Sequence, residues 1–379
     1  MTIQENESQI IEADAQRTTA VHHTLDKLYE QVLDDEAQHG IITFDVSSPT
    51  DRYIIFSDQH RGGRNRADEF RNSERAYNAA LAYYYGMGHT LVTLGDVEEL
   101  WKERPGTVVD TYAHSLSLEA RFHKNGRYLR FWGNHDDEWN YETAVRKHLH
   151  PIFGKNLKVH EGLRIKVIDS KQDKDNPLGH IFLIHGHQGT IESDRFGQIS
   201  RFFVRWFYRP FQRLTGFSPN TPATSWELRE GHNKVLYEWA RSQDNLLLIA
   251  GHTHRPVFES LTHPDQVMAE LDDIKAKLAH DPDNEELRRN VSELSAELEW
   301  IRAQQLTEPG QEGGEKSQSK SPCYFNTGCC CFLDGKITGL ELAHGQIRLV
   351  RWPNNEGKPR PTILAPESGK QVMLRDLLT

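Results

Sequence analysis

The chain has 379 residues, of which 37% are hydrophobic and 26% charged, and its formal net charge is −10. This length suffices for one large domain with insertions or for two domains, and the acidic charge argues against nucleic acid as the main partner. Residues 1–12 are polar and acidic, and no apolar run approaches about 20 residues. We therefore expect no signal peptide, no transmembrane segment and a cytoplasmic protein.

The first predicted element is a helix within an N-terminal extension, residues 1–45. Val21, Leu25, Leu28 and Val32 recur at helical spacing and form one apolar stripe. We expect this stripe to pack on the following domain, with the charged face of the helix in solvent.

Apolar runs further along the chain end in short polar motifs. Four of these runs are short and continuous, as in strands buried on both faces, and the run at 128–132 is a weaker case. Layered α/β folds carry their sites at the carboxyl ends of strands, so the motifs should meet. Their glycines allow sharp turns and close approach of side chains. The motifs are Asp58-Gln59-His60, Gly95-Asp96, Gly133-Asn134-His135-Asp136, His185-Gly186-His187 and Gly251-His252-Thr253-His254.

The residue types in the motifs indicate metal binding. Carboxylate, imidazole and amide oxygen suit manganese, iron or zinc, and the motifs lack the thiolates of a sulfur-rich structural zinc site. Any one motif alone could be a turn or a hydrogen-bonded histidine, but all five in order favour a metal centre. His185 directly follows its apolar run and is the preferred ligand, which leaves His187 to contact substrate or to support a ligand. Asp136 and Asp137 are expected to support the centre or to lie in solvent rather than to bind metal.

In this order the motifs resemble those of the calcineurin-like metallophosphoesterases, over about residues 52–256. The resemblance implies an α/β fold of the α+β kind, a four-layer αββα sandwich. It implies two divalent metal ions, with manganese favoured over iron or zinc, and places Asp96 and His135 in catalysis, with His135 beside the leaving group. The implied ligands are Asp58, His60 and His254 for one metal, Asn134, His185 and His252 for the other, and Asp96 as the bridge.

The reaction implied by the resemblance is hydrolysis of a phosphate monoester, a phosphodiester or a pyrophosphate. A metal-bound hydroxide would attack phosphorus, so no covalent enzyme intermediate is needed. A nuclease of the same superfamily has the same ligand set. A non-catalytic scaffold that keeps the metal fold is the alternative outside the enzymes.

The predicted core, residues 46–262, contains a helical insertion near the active site at 190–243. Arg201, Arg205 and Arg209 recur every fourth residue and share one helix face, with aromatic residues around them. The segment could pack on the core, form a lid that offers arginines to an anionic substrate, or make peripheral contact with a membrane. The candidate substrate-binding residues are His187, Arg201, Arg205 and Arg255.

One motif narrows the resemblance. Residues 95–101 read GDVEELW and are similar to the GDxxExW stretch of the UDP-2,3-diacylglucosamine pyrophosphohydrolases, which also carry a helical insertion before GHTHRP, here residues 251–256. The chain has His135 where that family usually has arginine, and it is longer. A phosphorylated small molecule is the expected partner, with a nucleotide- or lipid-linked pyrophosphate as the leading substrate class.

Beyond the core, residues 263–306 carry two heptad-spaced apolar stripes joined by a Pro-Asp turn. They predict an antiparallel helical hairpin, which either closes on itself or forms a homodimer. A flexible linker at 307–321, strands at 322–353 that complete the core, and a polar tail at 354–379 with a short helix at 372–378 should follow. All four cysteines lie in this last part, and we interpret Cys329, Cys330 and Cys331 as strand residues in a reducing compartment, with a redox or metal role as the alternative.

Overall fold

The computed structural model describes most of the predicted core. The described residues are 3–173, 176–189, 222–254, 256–258, 323–332, 335–352, 362–363 and 372–378, with isolated residues between 271 and 295. Side chains are described from residue 18, and within the helix that begins at Pro222 from residue 231. Most of the insertion, most of the hairpin and the whole linker lie outside these residues, so the predicted lid and dimer stay predictions.

The described part of the chain contains strands and helices of varied length. The strands are β1 (Ile42–Asp45), β2 (Arg52–Phe56), β3 (Thr90–Leu94), β4 (Tyr128–Phe131), β5 (Val159–His160), β6 (Gly162–Ile168), β7 (Gly179–Ile184), β8 (Leu246–Ala250), β9 (Pro256–Val257), β10 (Tyr324–Thr327), β11 (Ile337–Ala343), β12 (Gln346–Trp352), β13 (Thr362–Ile363) and β14 (Val372–Met373). The helices are α1 (Ile3–His39), α2 (Glu74–Gly86), α3 (Pro105–Thr111), α4 (Ala113–Lys124), α5 (Glu142–His148), α6 (His150–Phe153), α7 (Pro222–Ser242) and α8 (Leu374–Leu378).

These strands form two mixed sheets. The first has the order β1-β6-β7-β8-β10-β9, and the second has the order β13-β12-β11-β2-β3-β4-β5 with β14 beside β12. Strands β2, β3 and β4 run parallel, as do β7 and β8, so the apolar runs that precede the motifs all lie in sheets. The predicted hairpin of β11 and β12 completes the second sheet by pairing with β2.

Three apolar cores separate four layers. Between the sheets, Ile55 and Val92 of the second sheet pack with Leu183 and Leu247 of the first. Helices α2 to α6 cover the outer face of the second sheet. Helices α1 and α7 cover the outer face of the first, where Phe182 meets both. The predicted α/β fold class and its αββα layering are thereby confirmed.

The ends of the described chain pack on these layers. The stripe of Val21, Leu25, Leu28 and Val32 is buried under α7 and the first sheet, as predicted. Within the region predicted as a polar tail, the leucines of α8 insert into the core between the sheets. Among the described helices, none combines the length and apolarity that crossing a membrane requires.

The assignment of three consecutive cysteines to a strand was wrong. Strand β10 ends at Thr327, and Gly328 follows with a φ of 76°. The backbone amide of Cys329 then bonds the Thr338 hydroxyl, and that of Cys330 bonds the Asp58 carbonyl, so neither enters a ladder. Cys329, Cys330 and Cys331 are buried in a turn because the chain leaves the sheet edge at this glycine.

Candidate metal centre

The sequence motifs meet where strands of both sheets end. Asp58 follows β2, Asp96 follows β3 and Asn134 follows β4 in the second sheet. His185 follows β7 and His252 follows β8 in the first. Since these strands are parallel within each sheet, their carboxyl ends gather the side chains at one edge of the sandwich.

One group of side chains consists of Asp58, His60 and His254. Their ligand-type atoms all lie within 4.8 Å of one another. His60 Nε2 and His254 Nε2 are 3.0 Å apart, and Asp58 Oδ1 is 3.2 Å from the latter. All three side chains therefore point at one small volume.

A second group consists of Asp96, His185 and His252, again within 4.8 Å. His185 Nε2 is 3.2 Å from Asp96 Oδ2, and His60 Nε2 lies 3.6 Å from that same oxygen. Asp96 thus stands between the two groups.

Buried donor atoms without hydrogen bonds mark the same place. Among the described residues, Asn134 Oδ1, Asp58 Oδ1 and His185 Nε2 are buried and have no hydrogen-bond partner. Such atoms are costly unless they are compensated. Amide oxygen, carboxylate oxygen and imidazole nitrogen are ligands of divalent transition metals, so the residues present fit a metal pair.

Several of these residues have strained backbones. Asp58, His60, Asp96, His252 and His254 have φ values of 53°, 48°, 51°, 71° and 59°. Non-glycine residues rarely adopt this left-handed region, and each instance costs on the order of 1–3 kcal/mol. The surrounding hydrogen bonds stabilise this strained backbone conformation. The conformation turns the side chains inward at the strand ends.

Glycines in the motifs make room for the ligands. A Cβ on Gly95 would lie 2.6 Å from the His185 ring, and one on Gly251 would lie 2.6 Å from Asp58 Oδ2. Such distances are shorter than any real contact, so a side chain at either position would displace a ligand. These two motif glycines therefore have a steric role.

Contacts from outside the two groups orient the ligands. His185 Nδ1 is 2.8 Å from the Leu94 carbonyl oxygen, so Nδ1–H donates to it and Nε2 is left for a metal. The Ser57 hydroxyl donates to Asp58 Oδ2, which also accepts the His252 amide at 3.0 Å. Asp58 thereby keeps Oδ1 for the centre.

Asp136 organises the loops and does not face either group. Its carboxylate accepts the backbone amides of Gly133 at 2.6 Å and Val97 at 2.8 Å. It thereby ties the loop after β3 to the loop after β4. This matches the supporting role expected from the sequence.

His135 lies at the edge of the centre. It shares a group with His60 and Asp96, and its side chain is 22% exposed. The ring stacks on Trp101 with centroids 4.2 Å apart, and Nδ1 is 3.0 Å from Glu99 Oε1. A partly exposed imidazole beside buried ligands is well placed to meet a substrate.

Sequence reasoning gave Glu99 no role, although the structure puts it in the centre. Besides His135, its carboxylate contacts His60 Nδ1 at 3.4 Å and Lys102 Nζ at 3.2 Å. The GDxxExW pattern at 95–101 contained the signal, because its glutamate is Glu99. One carboxylate thus orients one expected ligand and one expected catalytic histidine.

The charged groups in the centre shift one another's pKa values in opposite directions. Burial raises the pKa of Asp58, but His254 and His185 lower it well below its usual value. Burial lowers the pKa of His185, yet Asp96 and Asp58 raise it to about 9. Burial and the neighbouring His185 lower the pKa of His252 well below its usual value. The carboxylates are therefore ionised and draw positive charge, which bound cations would supply.

Of the predicted substrate-binding residues, the structure describes His187. His187 is buried, its ring centroid 5.4 Å from that of His185 and 5.1 Å from that of Trp132. Burial and His185 lower its pKa to about 3, so it is neutral. Arg201, Arg205 and Arg255 lie outside the described residues and stay predictions.

Comparisons with known proteins add little to this geometry. No family profile matches the chain, and no curated protein matches it. Among solved structures, a dimetal phosphatase from Danio rerio is similar, with 14% sequence identity, a TM-score of 0.29, and coverage of 56% of this chain and 85% of that chain.

Proposed function

We propose that this chain is a phosphoesterase that uses two divalent metal ions. The observation that carries the proposal is the position of Asp96. Its Oδ2 lies 3.6 Å from His60 Nε2 on one side and 3.2 Å from His185 Nε2 on the other. A carboxylate oxygen shared by two ligand groups is the arrangement expected of a residue that bridges a metal pair.

The proposed ligands divide around this bridge. Asp58, His60 and His254 would hold one ion, and Asn134, His185 and His252 would hold the other. The oxygen and nitrogen donors suit manganese, iron or zinc. The chemistry that such a pair supplies when bound is a water of lowered pKa and positive charge facing the phosphoryl oxygens.

His135 would act on the leaving group. Burial lowers its pKa, but the carboxylates of Glu99 and Asp96 raise it above the usual value. A protonated imidazole at this position can donate its proton to a departing oxygen. Glu99 contacts the ring at Nδ1, which would leave Nε2 for the substrate.

Phosphatase assays test this proposal directly. Purified protein loaded with Mn²⁺ should contain two equivalents of metal and hydrolyse p-nitrophenyl phosphate or bis-p-nitrophenyl phosphate. Asp96→Asn removes the bridging charge and should lower kcat/KM by roughly 100-fold or more. The exposed Asp110→Asn is the matched control and should keep full turnover.

The outcomes separate an enzyme from a scaffold. Full metal loading without turnover on either ester would favour a non-catalytic scaffold. Unchanged turnover in Asp96→Asn would refute the assignment of the bridge.

The substrate class needs a second measurement. We propose a nucleotide- or lipid-linked pyrophosphate, on the similarity of residues 95–101 to GDxxExW, in which Trp101 stacks on His135. A screen of Mn²⁺-loaded protein should compare linked pyrophosphates with monoesters, diesters and single-stranded DNA. Fastest turnover of a linked pyrophosphate is expected, whereas preference for DNA would indicate a nuclease.

A further inference from the structure

Two cysteines face one proposed metal ligand from the side opposite the metal pair. Cys331 Sγ is 3.8 Å from His254 Nδ1, whereas His254 Nε2 is directed at Asp58. Cys329, Cys331 and His254 each offer one ligand atom, and these atoms lie within 4.8 Å of one another. Both cysteines are buried as free thiols.

The turn after β10 creates this arrangement. Cys329 and Cys331 flank Cys330, whose sulfur points the other way and lies 3.8 Å from the Thr338 carbonyl oxygen. Cys330 belongs to the core between the second sheet and its helices. The alternation leaves two thiols on the side of the centre and one in the apolar interior.

The separation of Cys331 Sγ and His254 Nδ1 suits a cation with tetrahedral geometry. Zinc–sulfur bonds of about 2.3 Å and zinc–nitrogen bonds of about 2.0–2.1 Å place ligand atoms roughly 3.5–3.8 Å apart. The separation of Cys331 Sγ and His254 Nδ1 already has this value. Two sulfurs and one nitrogen form a softer donor set than the oxygen and nitrogen donors of the proposed pair, so this set favours thiophilic ions more strongly.

We propose that Cys329, Cys331 and Nδ1 of His254 form a separate binding site for a thiophilic cation of the zinc or cadmium class. Binding would replace the two thiol protons and the Nδ1 proton, which pass to solvent, with three bonds to the cation. The side chain of His254 is 22% exposed, so an ion can reach the site from the open side of the centre.

The shared histidine couples this site to the metal pair. A cation on Nδ1 holds the His254 ring and withdraws electron density from Nε2, which faces Asp58 and His60. A thiophilic cation should therefore inhibit the enzyme. The inhibition rests on the proposed function, whereas the binding rests on the three side chains alone.

Cadmium titration tests the binding. The full-length reduced protein, preloaded with Mn²⁺, is titrated with Cd²⁺ while thiolate-to-cadmium charge transfer is followed in the ultraviolet. We expect one thiolate-bound cadmium per chain in the wild type and in Cys330→Ser. The band should be lost in Cys329→Ser and Cys331→Ser. A band that persists in both of these variants, or that is absent from the wild type, would overturn the site.

Turnover of bis-p-nitrophenyl phosphate in the same titration tests the coupling. Cys331→Ser should need at least 10-fold more Cd²⁺ than Cys330→Ser for half-inhibition, although displacement of Mn²⁺ affects both variants alike. A thiolate band without turnover under any condition would leave the site standing and remove the proposed function. Turnover without a thiolate band would do the reverse.

Discussion

His60 and His254 direct their Nε2 atoms at each other across 3.0 Å. Asp58 Oδ1 lies beside both, 3.8 Å from the first and 3.2 Å from the second. Burial opposes a charge on His60, but Asp58 and Glu99 raise its pKa well above the usual value. Without a cation, a proton must hold these atoms together, and a divalent ion would satisfy all three.

This contact predicts that metal binding stabilises the fold. Mn²⁺ at a hundredfold excess over its Kd should add about 2.7 kcal/mol per site to the free energy of unfolding, and chelation should reverse the gain. His60→Gln should reduce the rise in Tm, because one ligand is gone. Differential scanning calorimetry across a Mn²⁺ titration measures this rise in Tm.

The exposed His39→Gln provides the control and should keep the full rise in Tm. An equal rise in His60→Gln and in the wild type would mean that the stabilising ion binds elsewhere.

Glu99 provides a second prediction, since it orients His135 at 3.0 Å and His60 at 3.4 Å. Burial raises its pKa, but His135 and Lys102 lower it well below the usual value, so it is a carboxylate. Glu99→Gln keeps the shape and removes the charge. We expect kcat to fall about 10–100-fold, as for other partners of metal-binding histidines, with a smaller change in KM.

Steady-state kinetics and the metal content of Glu99→Gln check this together. The exposed Glu142→Gln should behave as the wild type. A rise in KM with unchanged kcat would instead make Glu99 part of the substrate-binding surface.

The sequence predicted the strands and the motifs because both depend on local patterns. Continuous apolar runs became β2, β3, β7 and β8, and glycine turns brought ligand types to the strand ends. The weaker run at 128–132 also became a strand, β4, since pairing with β3 completes it.

What the sequence could not predict depends on packing. Two adjacent glutamates follow Asp96, and periodicity does not tell which one turns inward. Glu98 faces the buried Arg130 and Trp139, and Glu99 faces the histidines. The cysteine turn was missed for a similar reason, because an apolar run beside a strand looks like more strand until its amides find other partners.

A third prediction concerns the buried charges beneath the centre. The Glu119 carboxylate contacts the guanidinium of Arg61, lies 3.5 Å from that of Arg130, and accepts hydroxyl hydrogen bonds from Tyr77 and Tyr128 at 3.0 Å each. Glu119→Gln removes one of the two buried carboxylates that face these arginines and leaves Glu98 as their remaining counter-charge. It should lower the free energy of unfolding by about 3–5 kcal/mol, measured by urea denaturation.

The exposed pair of Arg64 and Glu74 provides the comparison. Arg64 is 48% exposed, so Arg64→Gln should lower the free energy of unfolding by less than about 1 kcal/mol. Burial raises the pKa of Glu119, but Arg61 and Arg130 lower it below its ordinary value of 4.5. The ionised Glu119 therefore adds to the free energy of unfolding at pH values above its ordinary pKa. This added stability is lost as the pH falls through the folded-state pKa. The prediction would be contradicted if Glu119→Gln and Arg64→Gln lowered the free energy of unfolding equally. It would also be contradicted if the difference between Glu119→Gln and the wild type grew larger in acid.

Gly133 provides the last prediction. An added Cβ there would meet Asp96 Oδ1 and lie 2.6 Å from His185 Cδ2. Gly133→Ala should therefore displace the proposed bridge, lower bound Mn²⁺ below two equivalents and reduce turnover roughly 100-fold. The control is Gly86→Ala, because a Cβ at Gly86 meets no described atom within 4 Å. Bound metal and turnover are measured for both variants. A Gly133→Ala protein with two ions and full activity would show that the bridge lies elsewhere.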